Sequence, residues 1–349
     1  MVKQNNRNRL ILLLGLILMM LHRQRILTSH TINERLMVQM DPAVFKPVTS
    51  MSEKARRRTI IHPLSPAFAK QRILVVYSGP TSLARLEGKN ELYLRNLDFF
   101  LKHGVDCQHA DFVISLSESV QIAYRSQLAD LDENCKASFG RSVKTLLRTP
   151  ECHDLATLYA LFYKSEITAE KYDYLIYLNC GLTGPSPELS STWLQPFLEP
   201  LLGLNVSMSG LSINCFRKNK PHVMSFAYAL TKEGLRIVLD SGSIFDCRKM
   251  PKHNNTFNKI VAKYEQGMSK ALLQEGRGLA SLFPKTVVFW RNRTQCTLRD
   301  RWTESQLRED YGGRLPHLNE TLFFKSSRLL TREIKELIQY PRNATWHAV

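Results

Sequence analysis

A chain of 349 residues with 44% hydrophobic and 23% charged residues can bury one large α/β domain or two small ones, and 16 Gly and 15 Pro exclude fibrous, collagen-like and globally disordered classes. The +17 net charge, 48 Lys+Arg against 31 Asp+Glu, invites a nucleic-acid partner, but residues 1–71 hold twelve Lys/Arg and only three Asp/Glu. Much of the excess therefore precedes the globular part, and no basic patch with interleaved aromatics follows it, so no nucleic-acid partner is expected.

The first element is an apolar run, Leu10 to Leu21, preceded by Lys3, Arg7 and Arg9. That order is expected of a signal peptide or an uncleaved signal anchor. Twelve helical residues rise only about 18 Å, so spanning needs thinning of the bilayer or snorkelling by Arg23 and Arg25. No small-x-small cleavage site follows, which favours a type II anchor with residues 1–9 cytoplasmic, residues 10–21 in the membrane and the rest lumenal. Residues 22–71, with Pro42, Pro47, Pro63, Pro66 and the cluster Arg56, Arg57 and Arg58, read as a stem, and residues 72–340 as the lumenal domain. Seven cysteines (Cys107, Cys135, Cys152, Cys180, Cys215, Cys247, Cys296) lie beyond the run and suit an oxidising compartment. Six of them can pair, in an order the spacing does not assign, or all can be buried thiols. Asn-x-Ser/Thr sequons begin at Asn205, Asn254, Asn292, Asn319 and Asn343.

Within the domain, Arg72 to Tyr77 is a β-branched apolar run stopped by Ser78-Gly79-Pro80, predicting a buried strand and turn. Glu91 to His103 places Leu94, Leu97, Phe100 and Leu101 on one helical face, and Gly104 ends it. Asp111 to Leu116 predicts a second strand and Leu155 to Lys164 a second amphipathic helix. Tyr172 to Leu178 is the clearest strand, running into the turn Asn179 to Pro185. A mixed region, Val206 to Cys215 and His222 to Leu230, precedes a helix from Tyr264 to Gln274 ended by Gly276. Alternating strands and helices imply a mostly parallel, doubly wound Rossmann-like sheet flanked by helices. In such sheets ligands sit beyond the carboxyl ends of the strands, here Tyr77, Ser78 and Asn179 to Gly181.

Five segments, Arg95 to Gly104, Tyr172 to Pro185, His222 to Ser225, Tyr264 to Gly276, and Glu320 to Lys325 with Arg328, together resemble the GT-A-fold glycosyltransferases, especially the rhamnan synthesis F type and their algal and protist relatives. The resemblance covers about Arg72 to Arg328. It implies an enzyme of the Golgi membrane that moves a sugar from a nucleotide-sugar donor to a glycan or glycoprotein acceptor, with inversion. A silent lumenal protein of the same fold, binding glycan or a partner, is the alternative.

Such transfer needs a diphosphate site, stabilisation of departing phosphate charge, and a carboxylate that takes the acceptor proton. The resemblance places Asp154 on the nucleotide, although an Asp just before a helix is also a plain N-cap. Asn179 and Gly181 occupy the place where relatives carry a metal-binding Asp-x-Asp. Without those carboxylates a Mn or Mg ion is not supported, because hard cations want charged oxygen ligands. Asp130 and Asp132 lie in a polar stretch and read as a solvated pair. Lys325 and Arg328 are then candidates to meet the diphosphate charge, or face solvent. Glu265, at a helix start, is the candidate base, where it would also stabilise the helix dipole. His222 and Ser225 fall on the acceptor side. The pairs Cys152-His153 and Cys107-x-His109 lack zinc spacing, and no Walker loop, G-x-S-x-G elbow or His-Glu-x-x-His occurs.

Overall fold

The computed structural model describes residues 64–83, 89–149, 153–185, 193–203, 205–214, 221–249, 259–282, 287–289 and 321–328. The chain divides into two compact units, Met1–Thr59 and Ile60–Val349, and every described residue belongs to the second. The apolar run at 10–21 and the basic cluster at 56–58 lie outside the described residues, as do Cys152, Cys215, Cys296 and the sequons at Asn254, Asn292, Asn319 and Asn343. Among the described residues no helix is long and apolar enough to cross a membrane.

Ten strands are described: β1 (Ile73–Ser78), β2 (Ala110–Leu116), β3 (Val143–Leu147), β4 (Tyr174–Asn179), β5 (Val206–Gly210), β6 (Ile213–Asn214), β7 (His222–Val223), β8 (Ala227–Thr231), β9 (Gly278–Ser281) and β10 (Val287–Phe289). Eight of them form one sheet in the order β10-β9-β5-β8-β4-β1-β2-β3, and β6 and β7 make a separate ladder. Strands β3, β2, β1 and β4 are parallel throughout, and β5 is parallel to β9. Strand β8 runs antiparallel between β4 and β5, and β10 runs antiparallel at the edge. The sheet is thus Rossmann-like and mostly parallel, as its alternating pattern predicts, with β8 inserted against the grain.

The helices are α1 (Lys89–His103), α2 (Glu118–Ala123), α3 (Arg125–Phe139), α4 (Ala156–Lys164), α5 (Leu194–Leu198), α6 (Lys232–Asp240) and α7 (Gln266–Gln274). The period-two alternation of β1 sorts them. Ile73, Val75 and Tyr77 face a core built with Leu97, Phe100 and Leu101 of α1, Leu128 of α3 and Phe197 of α5. Leu74 and Val76 face a second core with Leu158 and Leu161 of α4, Leu235 and Val238 of α6 and Leu272 of α7. Both faces being covered explains why β1 and β2 are apolar runs rather than alternating ones.

The boundary drawn at residue 71 is too late. Leu64 and Phe68 are buried in the first core, and Phe68 meets the ring of Tyr174 edge-on at 5.8 Å. A Pro-rich stretch carries no period, so these two anchors were hidden in what reads as stem. The predicted helix around Tyr264 also begins earlier: residues 259–260 are already helical, and Val261–Glu265 form a π-helical turn leading into α7. Glu265 therefore ends a π turn instead of opening a helix, so a first-turn dipole role does not describe it. The helices α3 and α6 were not foreseen. Helix α3 ends at Gly140 in the left-handed region, φ 64°, and α6 starts at Thr231, whose side chain accepts from the Gly234 N–H at 3.0 Å.

Cys107 and Cys135 form a disulfide that ties the turn before β2 to α3. Cys247 is also disulfide-bonded, and Cys180 is a buried free thiol. Asn205, in the turn entering β5, is exposed with φ 66°.

Candidate functional site

The chain leaves β1 for β2 and β3 on one side and returns in β4 on the other, so the strand order reverses between β1 and β4. Ligands of open α/β sheets sit in the crevice at such a point, beyond the carboxyl ends. Ser78 and Asn179 end these two strands and are paired in register. Just beyond them the Cys180 N–H donates to the Ser78 carbonyl at 2.8 Å, closing the floor of the crevice.

The turn before α4 supplies the acidic group. The cap position of α4 is Leu155, which makes no side-chain cap, and Asp154 before it accepts the Leu155 N–H on Oδ1 at 3.1 Å while reaching into the crevice. One oxygen accepts from Asn179 Nδ2 at 2.7 Å and the other lies 2.6 Å from His153 Nδ1. Tyr177 Oη donates to the Asp154 carbonyl at 2.9 Å, and Ser78 Oγ lies 2.8 Å from Thr157 Oγ1, so the turn is pinned to β4 and β1. Burial alone would raise the Asp154 pKa. The charge and hydrogen bond of His153, then Arg148 and Asn179, outweigh burial and hold the carboxyl well below the usual range. Burial likewise opposes protonation of His153, but Asp154 reverses the sign and the imidazole pKa is raised. Arg148 enters from the end of β3 and donates to the Gly79 carbonyl at 2.7 Å.

On the neighbouring side, Glu265 is buried at 8% exposure, and its Oε1 accepts from the Ser225 N–H at 3.1 Å. One turn further, Ser269 Oγ accepts from the Val223 N–H at 3.0 Å. The i, i+4 pair thus grips the bend between β7 and β8 from one helix face. π turns recur at functional sites, and this one presents the carboxylate expected of a base. His222 lies buried in the β6–β7 ladder opposite Asn214.

The C-terminal segment 321–328 closes the third side. Thr183 and Phe324 exchange two backbone hydrogen bonds of 2.8 Å. A buried side-chain network locks this contact: Asn96 of α1 donates to the Cys180 carbonyl at 2.8 Å and to Ser326 Oγ at 3.1 Å, while Thr183 Oγ1 donates to Asn96 Oδ1 at 2.7 Å. Gly181 leaves room here: a Cβ would sit 2.7 Å from Ser327 Oγ and 3.1 Å from Asn179 Oδ1, so a larger residue makes these side chains shift. The segment delivers Lys325, whose Nζ rests 4.0 Å from the centre of the Phe226 ring. The Phe226 carbonyl in turn accepts from the Asn179 N–H at 3.0 Å. Arg328 is the last residue of the short 3-10 turn Ser326–Arg328.

Ser78, Asp154, Asn179, Gly181 and Lys325 therefore converge on one crevice, with Glu265 and Ser225 along its side. Tyr77 contributes only backbone, since its ring stacks on Phe100 in the core at 4.4 Å. The strand alternation decides this: Ser78 faces the site's helix α4, so its neighbour faces α1. Asp130 and Asp132 are on α3, where Asp132 accepts from the Val143 N–H at 2.9 Å. Sequence reading passed over Arg148, Thr157, Asn96 and the role of His153. Arg148 follows a strand with a mixed pattern, Val-Lys-Thr-Leu-Leu, and the carboxyl-end rule would have found it had β3 been seen.

Among the described residues no three His, Cys, Asp or Glu side chains cluster, and both oxygens of Asp154 are already engaged. Cys180 is not a nucleophile either, as burial pushes its thiol up to about 12.

No protein-family profile and no curated protein matches the chain. Solved structures similar to it include the mannosyltransferase PcManGT from Pyrobaculum calidifontis in complex with GDP-Man and Mn2+, at 11% identity and a TM-score of 0.38 over 60% of this chain. TarS of S. aureus is 11% identical with a TM-score of 0.33 over 62% of this chain. Mouse xyloside xylosyltransferase 1 is 14% identical with a TM-score of 0.31, covering 59% of this chain and 82% of its own. The chain spans 54% of the length of the mannosyltransferase and 59% of TarS. Likeness at this level carries no argument about this chain, and what the crevice does has to come from its own residues.

Proposed function

We propose that the chain is a nucleotide-sugar glycosyltransferase, working without a metal ion and by inversion. The observation that carries the reading is the Asp154–Asn179 contact at the strand-order reversal, flanked by Arg148 and Lys325 on one side and by the Glu265 carboxylate on another. That arrangement meets the chemical needs of transfer: a cationic mouth for a diphosphate, and a separate carboxylate for the acceptor proton. The sugar's bond to the diphosphate breaks as its bond to the acceptor oxygen forms, and the acceptor proton goes to Glu265. The nucleotide-sugars GDP-Man and UDP-GlcNAc, bound by two of the similar structures, belong to the same donor class.

The acceptor side is assigned to the β7–β8 bend, with Ser225 and His222, and the acceptor to a glycan or glycoprotein. The setting is the Golgi lumen, with residues 10–21 as a type II anchor. One observation favours the silent alternative: the Glu265 carboxylate holds a backbone N–H, which is a structural task in itself. Thermal stability of the chain with a panel of nucleotide-sugars, each with and without manganese, separates the two. A shift with one nucleotide, indifferent to manganese and followed by detectable transfer, supports the enzyme. Glu265→Gln is then expected to abolish transfer while sparing nucleotide binding, and undiminished turnover would remove Glu265 as base. Binding without transfer to any acceptor would favour the silent protein.

A further inference from the structure

We propose that the Tyr228 hydroxyl is a sugar-binding group of the crevice, which hydrogen-bonds a hydroxyl of the transferred sugar and selects a hexose that carries that oxygen over its deoxy counterpart. This role rests on the nucleotide-sugar reading and adds to it the class of sugar. Buried hydroxyls that find no hydrogen-bond partner among the described residues are those of Tyr77, Ser115 and Tyr228. Such a group has lost its hydration and gained nothing in return, so native chains keep few of them, and function is one reason to keep one. The Tyr77 ring belongs to the first core, on the sheet face turned away from Asp154, and Ser115 is on β2, two strands from β4. Tyr228 is on β8, directly beside β4.

The sheet sets Tyr228 between the two carboxylates of the crevice. On one flank it is the cross-strand partner of Tyr177, and the two rings stack with centres 5.1 Å apart and planes 22° from parallel. The Tyr177 hydroxyl donates to the Asp154 carbonyl at 2.9 Å, which ties this flank to the Asp154 turn. On the other flank the register pairs Tyr228 with Gly210 of β5, and the space above that glycine is filled by the Val223 side chain. The Val223 N–H is held by Ser269 Oγ at 3.0 Å, one turn from Glu265 on the same helix face. Burial above all, then the charges of Asp154 and Glu265, push the Tyr228 pKa well above the usual range, so the group stays an O–H donor with both carboxylates in electrostatic reach. A sugar in transfer has to lie between the diphosphate and the carboxylate that takes the acceptor proton, and Tyr228 floors that interval. Its hydroxyl is already dehydrated in the unliganded chain, so a sugar oxygen that meets it gains a hydrogen bond for which the protein gives up no water.

The test combines Tyr228→Phe with deoxy sugars. Phe keeps the ring stack and removes only the oxygen, so the unliganded variant is expected to melt at the parent's temperature or above it. A clear fall in melting temperature would show the hydroxyl already engaged in the free protein and would overturn the role. Calorimetry then uses UDP-, GDP-, ADP- and dTDP-linked hexoses, their monodeoxy analogues, and the nucleoside diphosphates alone. The parent is expected to bind one hexose at least tenfold more tightly than one of its deoxy analogues, the scale of one such bond. Tyr228→Phe is expected to lose about tenfold on that hexose only, and to match the parent on the deoxy analogue and on the diphosphate. Equal affinity of parent and variant for the hexose would overturn the role of Tyr228 and leave the nucleotide-sugar reading standing, as would an equal loss on hexose and diphosphate. Failure of the parent to bind any of the nucleotide-sugars would overturn that reading and this role with it.

Discussion

Replacing Asn179 by Asp restores a carboxylate at the strand end and sets it against Asp154. The amide nitrogen of Asn179 lies 2.7 Å from the Asp154 oxygen. An isosteric Asp puts oxygen against oxygen at that separation, losing one hydrogen bond and adding like-charge repulsion of about 6 kcal/mol at an effective dielectric of 20. The protein escapes part of this by keeping a proton on the pair. Holding one carboxyl protonated from its unfolded pKa of about 3.9 up to pH 7 costs about 4 kcal/mol, less than the repulsion, so the pair shares a proton at neutral pH. The native state then binds one more proton than the unfolded chain, and stability falls with rising pH by about 1.4 kcal/mol per unit. Equilibrium denaturation of Asn179→Asp and the parent chain at pH 5 and pH 7 reads this directly. The destabilisation relative to the parent is expected to grow by about 2.7 kcal/mol between the two pH values. An equal difference at both would mean that the two side chains do not touch, or that His153 and Arg148 neutralise both charges, and the charge balance of the crevice would have to be redrawn.

Gly181→Ala drives a Cβ to 2.7 Å from Ser327 Oγ and 3.2 Å from its Cβ, so Ser327 has to move, and a shift of its backbone would carry Lys325, two residues earlier. A stability loss of about 1–3 kcal/mol and a larger proportional loss of nucleotide-sugar binding are expected, measured by denaturation and calorimetry. Binding that matches the parent would show that the segment does not serve the crevice. Replacing Cys107 and Cys135 by Ser releases a cross-link over a separation of 28 residues, expected to cost about 3.5 kcal/mol by loop closure while leaving nucleotide affinity unchanged, since neither cysteine reaches the crevice. An unchanged melting temperature would count against the bond.

The sequence determined the layers of the fold. Runs such as Ile73–Ser78 and Tyr174–Asn179 are long, β-branched or aromatic and sharply ended by turns, so their strand character was legible without a structure. The helical period placed Leu97 and Phe100 on the buried face of α1. What chain order cannot supply is which distant groups meet. Asp154 reads as a cap in sequence, because that is what an Asp before a helix does by local chemistry, and only the sheet brings Asn179 to it across 25 residues. Strand β8 reads like any strand, yet its antiparallel insertion is what sets the Phe226 carbonyl on the Asn179 N–H and Ser225 on Glu265. His153 looked like half of an incomplete metal pair beside Cys152, and its ion pair with Asp154 is a fact of side-chain packing. Local sequence fixes backbone preference and burial, whereas the charge state and partners of a crevice depend on contacts closed between residues far apart in the chain, from Asn96 to Ser326.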